Sequence, residues 1–331
     1  MKIILPLLVV LLSGPLLHAD EPAKPKSPPK QNAAAKANRA KEAPEKYDAS
    51  VPAPTHAGVK YGPHARNVLD FWQAKSDKPT PLVLAIHGGG WTGGSKERVH
   101  RFVDVKALLD AGISVAANNY RMIPQAVIEG VEPPVKAPMQ DSARTLQFIR
   151  NKAADWNIDP ERVAAAGGSA GACTSLWLAY HDDMADPKSA DPIARQSTRL
   201  VYAAVIGAQT TLDPKEAKEW IPNSSYGGHA YGKKTFAQAL AERESLLPWI
   251  KEYSPYALSS KDDPPVAIFY SMAPAMGKDQ KDPTHSANFG IGLQRRCAEL
   301  GIGCEVIAPV EADSAAESAT AYLIKFFAPK K

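Results

Sequence analysis

At 331 residues, 44% of them apolar, the chain is long enough for one large domain or two ordinary ones and is globular in composition. Its formal charge of +4 is not a nucleic-acid surface. Residues 1–48 hold eight Lys/Arg against five Asp/Glu, which is +3 of that total, so the remainder is close to neutral.

The opening "MKIILPLLVVLLSGPLLHADEP" places Lys2 before an apolar run over 3–12 that Ser13, Gly14 and Pro15 break. This is the pattern of a signal peptide, residues 1–19, cut after Ala19. The run is too short to cross roughly 30 Å of hydrocarbon. The expectation is therefore an exported chain, periplasmic or extracellular, with no stable membrane insertion after signal cleavage. Residues 20–50 are rich in Lys, Ala and Pro and almost lack large apolar side chains. Such a stretch cannot offset the entropy of ordering itself and reads as a disordered linker. The folded domain is expected over 51–331.

Strand and helix patterns then alternate. "PLVLAIHGGGW" is a short apolar run ending in glycines, a buried strand entering a loop. "HRFVDVKALLDAG" spaces Phe102, Val103, Val105, Leu108 and Leu109 as a helix face closed by Gly112. "ISVAANNYR" is a strand and "APMQDSARTLQFIRNKAADW" a long helix. "RVAAAGG" and "SAGACTSLWLAYH" are the next strand and helix, followed by two buried strands, "LVYAAVIGA" and "PPVAIFYS". "HSANFGIGLQRRCAELG" is a helix, "CEVIAPV" a last strand, and "SAAESATAYLIKFF" a last helix with Ala315, Ala319, Tyr322, Leu323 and Phe326 along one side. This alternation predicts one α/β domain, a mostly parallel sheet with helices on both faces.

Gly167-Gly168-Ser169-Ala170-Gly171 is a G-x-S-x-G between an apolar strand and a helix, where a sharp turn projects the serine above the sheet. Ser169 is the candidate nucleophile, at a helix N-terminus whose partial charge favours a developing oxyanion. In "HGGGW", the glycines after the strand let backbone N–H groups point at a substrate oxygen, so Gly88, Gly89 and Ala170 are the candidate oxyanion donors. His87 is expected to brace that loop, and His87, Trp91 and His229 are placed near a substrate pocket.

With these two motifs in order, the chain resembles the α/β-hydrolase superfamily, in particular its esterase/lipase-like members with an HGGGW loop. The resemblance covers about residues 61–327 and includes "NYRMIP" at 119–124 and "NIDPERVAAAGGSAG" before the helix. It implies an eight-stranded hydrolase sheet and a Ser–Asp–His triad in that chain order, the acid after the seventh strand and the base after the last.

The chain departs from this pattern at both partners. After "PPVAIFYS" there is no G-x-x-D; Asp279 and Asp282 are the candidates, with Asp282 preferred because "DPTHS" leads into a helix. No histidine follows His285. A serine hydroxyl is a poor nucleophile without an adjacent base. Of the eight histidines, His181 ends the helix that Ser169 begins, and twelve residues at about 1.5 Å each put it roughly 18 Å away. His285 follows the seventh strand, at the sheet edge where ligands bind in parallel sheets. It is the preferred base, with His229, in the insertion after strand six, second.

The reading is an exported serine hydrolase cleaving small or polymer-attached carboxylic esters through Ser169, with no cofactor and no metal. The alternative is a hydrolase-fold binding protein with impaired catalysis. Cys173, Cys297 and Cys304 form no metal-ligand pattern, and Cys297 and Cys304 either pair or remain two free thiols.

Overall fold

A computed structural model describes residues 45–309 and 318–329. The signal peptide at 1–19, the linker up to residue 44 and Ala315 of the last helix lie outside the described residues. Eight strands form one sheet: β1 (His56–Lys60), β2 (Val68–Trp72), β3 (Thr80–Ile86), β4 (Ser114–Asn118), β5 (Ile158–Gly168), β6 (Tyr202–Ile206), β7 (Val266–Phe269) and β8 (Cys304–Ile307). Their order is β1-β2-β4-β3-β5-β6-β7-β8. β1 and β2 run antiparallel to their neighbours, and the other six are parallel.

Both faces of the centre are buried, as parallel strands require. In β3, Leu82, Leu84 and Ile86 join one apolar cluster while Val83 and Ala85 join the other. In β5, Val163 and Ala165 face the first cluster, Ala164 and Ala166 the second. The helices α1 (Val105–Asp110), α2 (Ile123–Ile128), α3 (Lys136–Asn151) and α4 (Ala170–Tyr180) follow in chain order. Every residue of α4 is buried, which explains why its sequence is apolar all round rather than along a stripe. Between β6 and β7 the insertion folds as α5 (Pro214–Trp220), α6 (Phe236–Ala241), α7 (Arg243–Tyr253) and the single turn α8 (Pro255–Leu258), with a 3₁₀ turn at Gly228–Tyr231. α9 (Ala287–Leu300) and α10 (Ala319–Phe327) flank β8.

Three features differ from the sequence reading. β1 and β2 carry no apolar run long enough to announce them, and β1 is largely exposed. The helix expected after the glycine loop is two pieces, a 3₁₀ turn over Lys96–Arg101 and then α1. Asp104 separates them because its side chain accepts the N–H of Ala107 and caps α1. The folded part also begins before residue 51. The Tyr47 hydroxyl donates to buried Asp70 at 2.5 Å, and the Tyr47 ring meets Trp72 edge-on. Glu45 accepts both from Ser95 and, through two oxygens, from Arg98.

No described helix is long and apolar enough to cross a membrane. Cys173, Cys297 and Cys304 are free thiols, the Cys297 Sγ lying 3.5 Å from the Tyr180 hydroxyl.

Candidate active site

Ser169 stands at the β5–α4 junction with φ 53° and ψ −121°. A non-glycine residue pays a steric cost at positive φ, and such strain persists only where the surroundings over-determine it. Here they do. The Ser169 N–H is tied to the Ile206 carbonyl of β6 at 2.9 Å, and the Ser169 carbonyl accepts from Cys173 in the first turn of α4. The neighbouring chains also approach backbone to backbone. A Cβ on Gly171 would lie 2.0 Å from the Ile86 carbonyl oxygen, and one on Gly88 would lie 2.5 Å from that of Gly168. The glycines of the two motifs are therefore required by contact between the loop after β3 and the turn after β5.

His285 lies in the loop between β7 and α9, just before Ser286, which caps α9 by accepting from the Asn288 N–H. Its Nε2 is 3.0 Å from Ser169 Oγ, and its Nδ1 is 2.9 Å from Asp282 Oδ2. A separation of three residues does not turn the two side chains apart, because the Asp282 carboxylate divides its work. Oδ1 accepts the backbone N–H groups of Thr284 and His285, closing an Asx-type turn, while Oδ2 is left for the ring. Burial raises the Asp282 pKa, but the hydrogen bond and charge of His285 and the two backbone donors outweigh it, so the carboxyl lies below its usual range. Gln209, after β6, donates to the Thr284 carbonyl at 2.6 Å and to the Gly207 carbonyl at 3.2 Å, fastening this turn to the neighbouring strand end. Asp279 is exposed, and the carboxylate that meets the ring is that of Asp282.

The remaining sequence-chosen residues occupy other places. His87 is fully buried and does not line the cavity at Ser169. Its ring stacks on Tyr120 at 4.2 Å, its Nδ1 is 2.8 Å from the Gly88 carbonyl, and the Tyr120 hydroxyl donates to the His87 carbonyl. Burial pushes its pKa down to about 3, against the Gly88 hydrogen bond, so it stays neutral and braces the glycine loop. Trp91 is also a correction to the pocket assignment: it is buried, with its indole N–H donating to Thr174 of α4. His229 does not line the cavity either; its Nε2 is 3.0 Å from the Gly90 carbonyl. Burial lowers its pKa, partly offset by that bond. It holds the glycine loop from the insertion side, and that imidazole nitrogen is committed to the loop rather than to Ser169.

The cavity has a volume of about 360 Å³ and reaches Gly88, Gly89, Ser169, Asp282 and His285. Phe102, Ile206, Phe269 and Tyr270 supply its apolar wall, and Arg98 and Arg101 stand on one side. The two arginines, Phe102 and Gln209 were missed from sequence as site residues. Tyr120 was present only inside "NYRMIP", a segment that marks the strand end opposite the glycine loop. Among the described residues, no group of three or more His, Cys, Asp or Glu is placed to hold a metal ion.

An eight-stranded, mostly parallel sheet with a serine on the strained strand-to-helix turn after β5 defines an α/β-hydrolase fold. Residues 69–280 match the BD-FAE family, and the chain belongs to it. It is 24% identical over 256 residues to an esterase of Gibberella moniliformis, covering 75% of this chain and 70% of that protein. It is 27% identical over 157 residues to a probable isoprenylcysteine alpha-carbonyl methylesterase of Arabidopsis thaliana, covering 47% of this chain. The match spans only 31% of that relative's length. Among solved structures, a truncated carbohydrate esterase from gut microbiota superposes with a TM-score of 0.62 at 18% identity, over 80% of this chain and 90% of that one, a likeness of fold.

Proposed function

We propose that this chain hydrolyses carboxylic esters through an acyl-enzyme on Ser169. The observation that carries the reading is the continuous relay of Asp282, His285 and Ser169, with contacts of 2.9 and 3.0 Å. His285 Nε2 accepts the hydroxyl proton as Ser169 Oγ attacks the acyl carbonyl, and Asp282 stabilises the imidazolium through Nδ1. The N–H groups of Gly88, Gly89 and Ala170 receive the oxyanion; Ala170 opens α4, so its N–H has no acceptor within the helix. The protonated His285 gives its proton to the departing alcohol, and a water deprotonated by the same ring releases the acid. The esterases among the relatives favour this chemistry for the chain.

The reading of an impaired binding protein rested on the missing terminal histidine and on an acid loop without the G-x-x-D pattern. An imidazole within hydrogen-bond reach of Ser169, supplied from the loop after β7, speaks against it.

The test is hydrolysis of p-nitrophenyl acetate by the full chain beside Ser169→Ala and His285→Ala. Each substitution is expected to lower kcat by about a thousandfold or more, with KM changing little. Turnover by Ser169→Ala at the parental rate would sink the acyl-enzyme reading. Loss in Ser169→Ala but not in His285→Ala would move the base elsewhere.

A further inference from the structure

The 3₁₀ turn Lys96–Arg101 places two arginines on one wall of the cavity that holds Ser169 and His285. Their situations differ. Arg98 is neutralised: its Nε reaches Glu45 Oε1 at 2.8 Å and Oε2 at 2.9 Å. Arg101 is exposed, and its guanidinium forms no hydrogen bond or ion pair among the described residues, although its charge is felt at Glu45. One carboxylate thus stands against two guanidinium groups. Glu45 lies behind Arg98 and outside the cavity lining, and the acid that does line it, Asp282, is engaged by His285 and the backbone of its own turn. Among the described residues, this wall carries one surplus positive charge beside an apolar surface formed by Phe102, Ile206 and Phe269.

A guanidinium offers paired donors in a planar fork that matches a carboxylate, and a charge-assisted bond of this kind is stronger than a neutral one. A neutral ester leaves this cation unused, whereas an ester carrying a carboxylate satisfies it while its carbonyl meets Ser169. Resting on the ester-hydrolase reading, we propose that Arg101 is a specificity-determining residue, and that the preferred substrates are esters bearing a carboxylate, whether on the acyl or the alcohol portion. Glu45 moderates the subsite by occupying the second guanidinium.

The test compares matched esters. The acyl arm is the p-nitrophenyl monoester of glutaric acid against p-nitrophenyl butyrate, and the alcohol arm is p-acetoxybenzoate against p-acetoxybenzamide. The reading is the ratio of kcat/KM for the anionic over the neutral member, taken relative to the parent chain so that intrinsic reactivity cancels. In one arm or the other, Arg101→Ala is expected to lower that ratio by roughly tenfold, and Arg101→Lys to recover part of it. Glu45→Gln, which frees Arg98, is expected to raise the ratio, a gain that misfolding cannot imitate. Added salt should shrink the parental preference, because the subsite is open to solvent. A purely structural Arg101 would lower both members alike and leave the ratio unmoved in both arms, and that outcome overturns the proposal. If no ester is turned over, the hydrolase reading fails, and benzoate binding to the Ser169→Ala chain decides the subsite separately. Saturable binding weakened by Arg101→Ala upholds it, and binding indifferent to Arg101 overturns it.

Discussion

Asp282 and His285 sit three residues apart in a loop, a spacing that ordinarily says nothing about whether two side chains meet. They meet because one carboxylate oxygen is used up in closing the turn and the other is therefore aimed at the ring. Asp282→Asn should be costly in a specific way: the amide can keep the turn closed through its oxygen but then presents an NH₂ group to Nδ1. That favours the wrong imidazole tautomer and removes the charge that stabilises imidazolium. A fall in kcat of about a hundredfold to ten-thousandfold is expected, with an unchanged melting profile. Asp279→Asn, on an exposed side chain, should stay within about twofold, as surface positions usually do. Parallel kinetics on the two variants settles the assignment, and equal effects would refute it. The sequence could narrow the acid to these two aspartates by chain order, but the Asx-type turn that separates them depends on local backbone geometry that spacing does not encode.

At the scale of elements, the site is a clamp on the glycine loop after β3. The turn after β5 touches it from one side, the stacked pair His87 and Tyr120 brace it from beneath, and His229 of the insertion holds the Gly90 carbonyl. Membership of "HGGGW" drew attention to His87 and Trp91, and a place in the insertion after strand six drew attention to His229, yet neither says on which side of the loop a side chain falls. None of the three lines the cavity, while Arg98 and Arg101 reach it from a short 3₁₀ turn, and Phe102 from the residue that closes it, with no periodicity to announce them. His229→Ala distinguishes a bracing role from a chemical one. It leaves the Gly90 carbonyl without its partner and loosens the oxyanion donors, so kcat should fall by about tenfold, two or more orders less than for His285→Ala. The pH profile should keep its shape, since His229 exchanges no proton in the reaction. A loss as deep as that of His285→Ala would instead place His229 in the chemistry.

Across the whole molecule, the six parallel strands and helices α1, α3, α4, α9 and α10 were legible because each is a short apolar run or a clear helical period, whereas α2 and the insertion helices α5 to α8 carry no such signal. The antiparallel β1 and β2 and the packed segment from Glu45 were not legible either, since they are held by particular contacts such as that of Tyr47 with Asp70 rather than by pattern. One such hidden contact makes the stability of the fold depend on pH. Asp263, before β7, is buried: Oδ2 accepts from the Ser260 N–H at 2.7 Å, but Oδ1 has no hydrogen-bond partner and Arg199 Nη1 stays 3.6 Å away. Burial pushes its pKa up to about 6 from an ordinary 3.8, only partly opposed by Ser260 and Arg199. Between those two values the folded chain holds a proton that the unfolded chain has released, so the native state binds more protons and its stability falls as pH rises. The contribution is fully present below 3.8 and is lost as pH passes through about 6. Asp263→Asn keeps the neutral, hydrogen-bonding form at every pH. Its melting temperature relative to the parent should therefore climb between about pH 4 and pH 6 and level off above, which thermal unfolding in matched buffers will read. A difference that is flat across this range would mean that Arg199 compensates the carboxylate fully in the folded chain, and the burial argument at this position would fail.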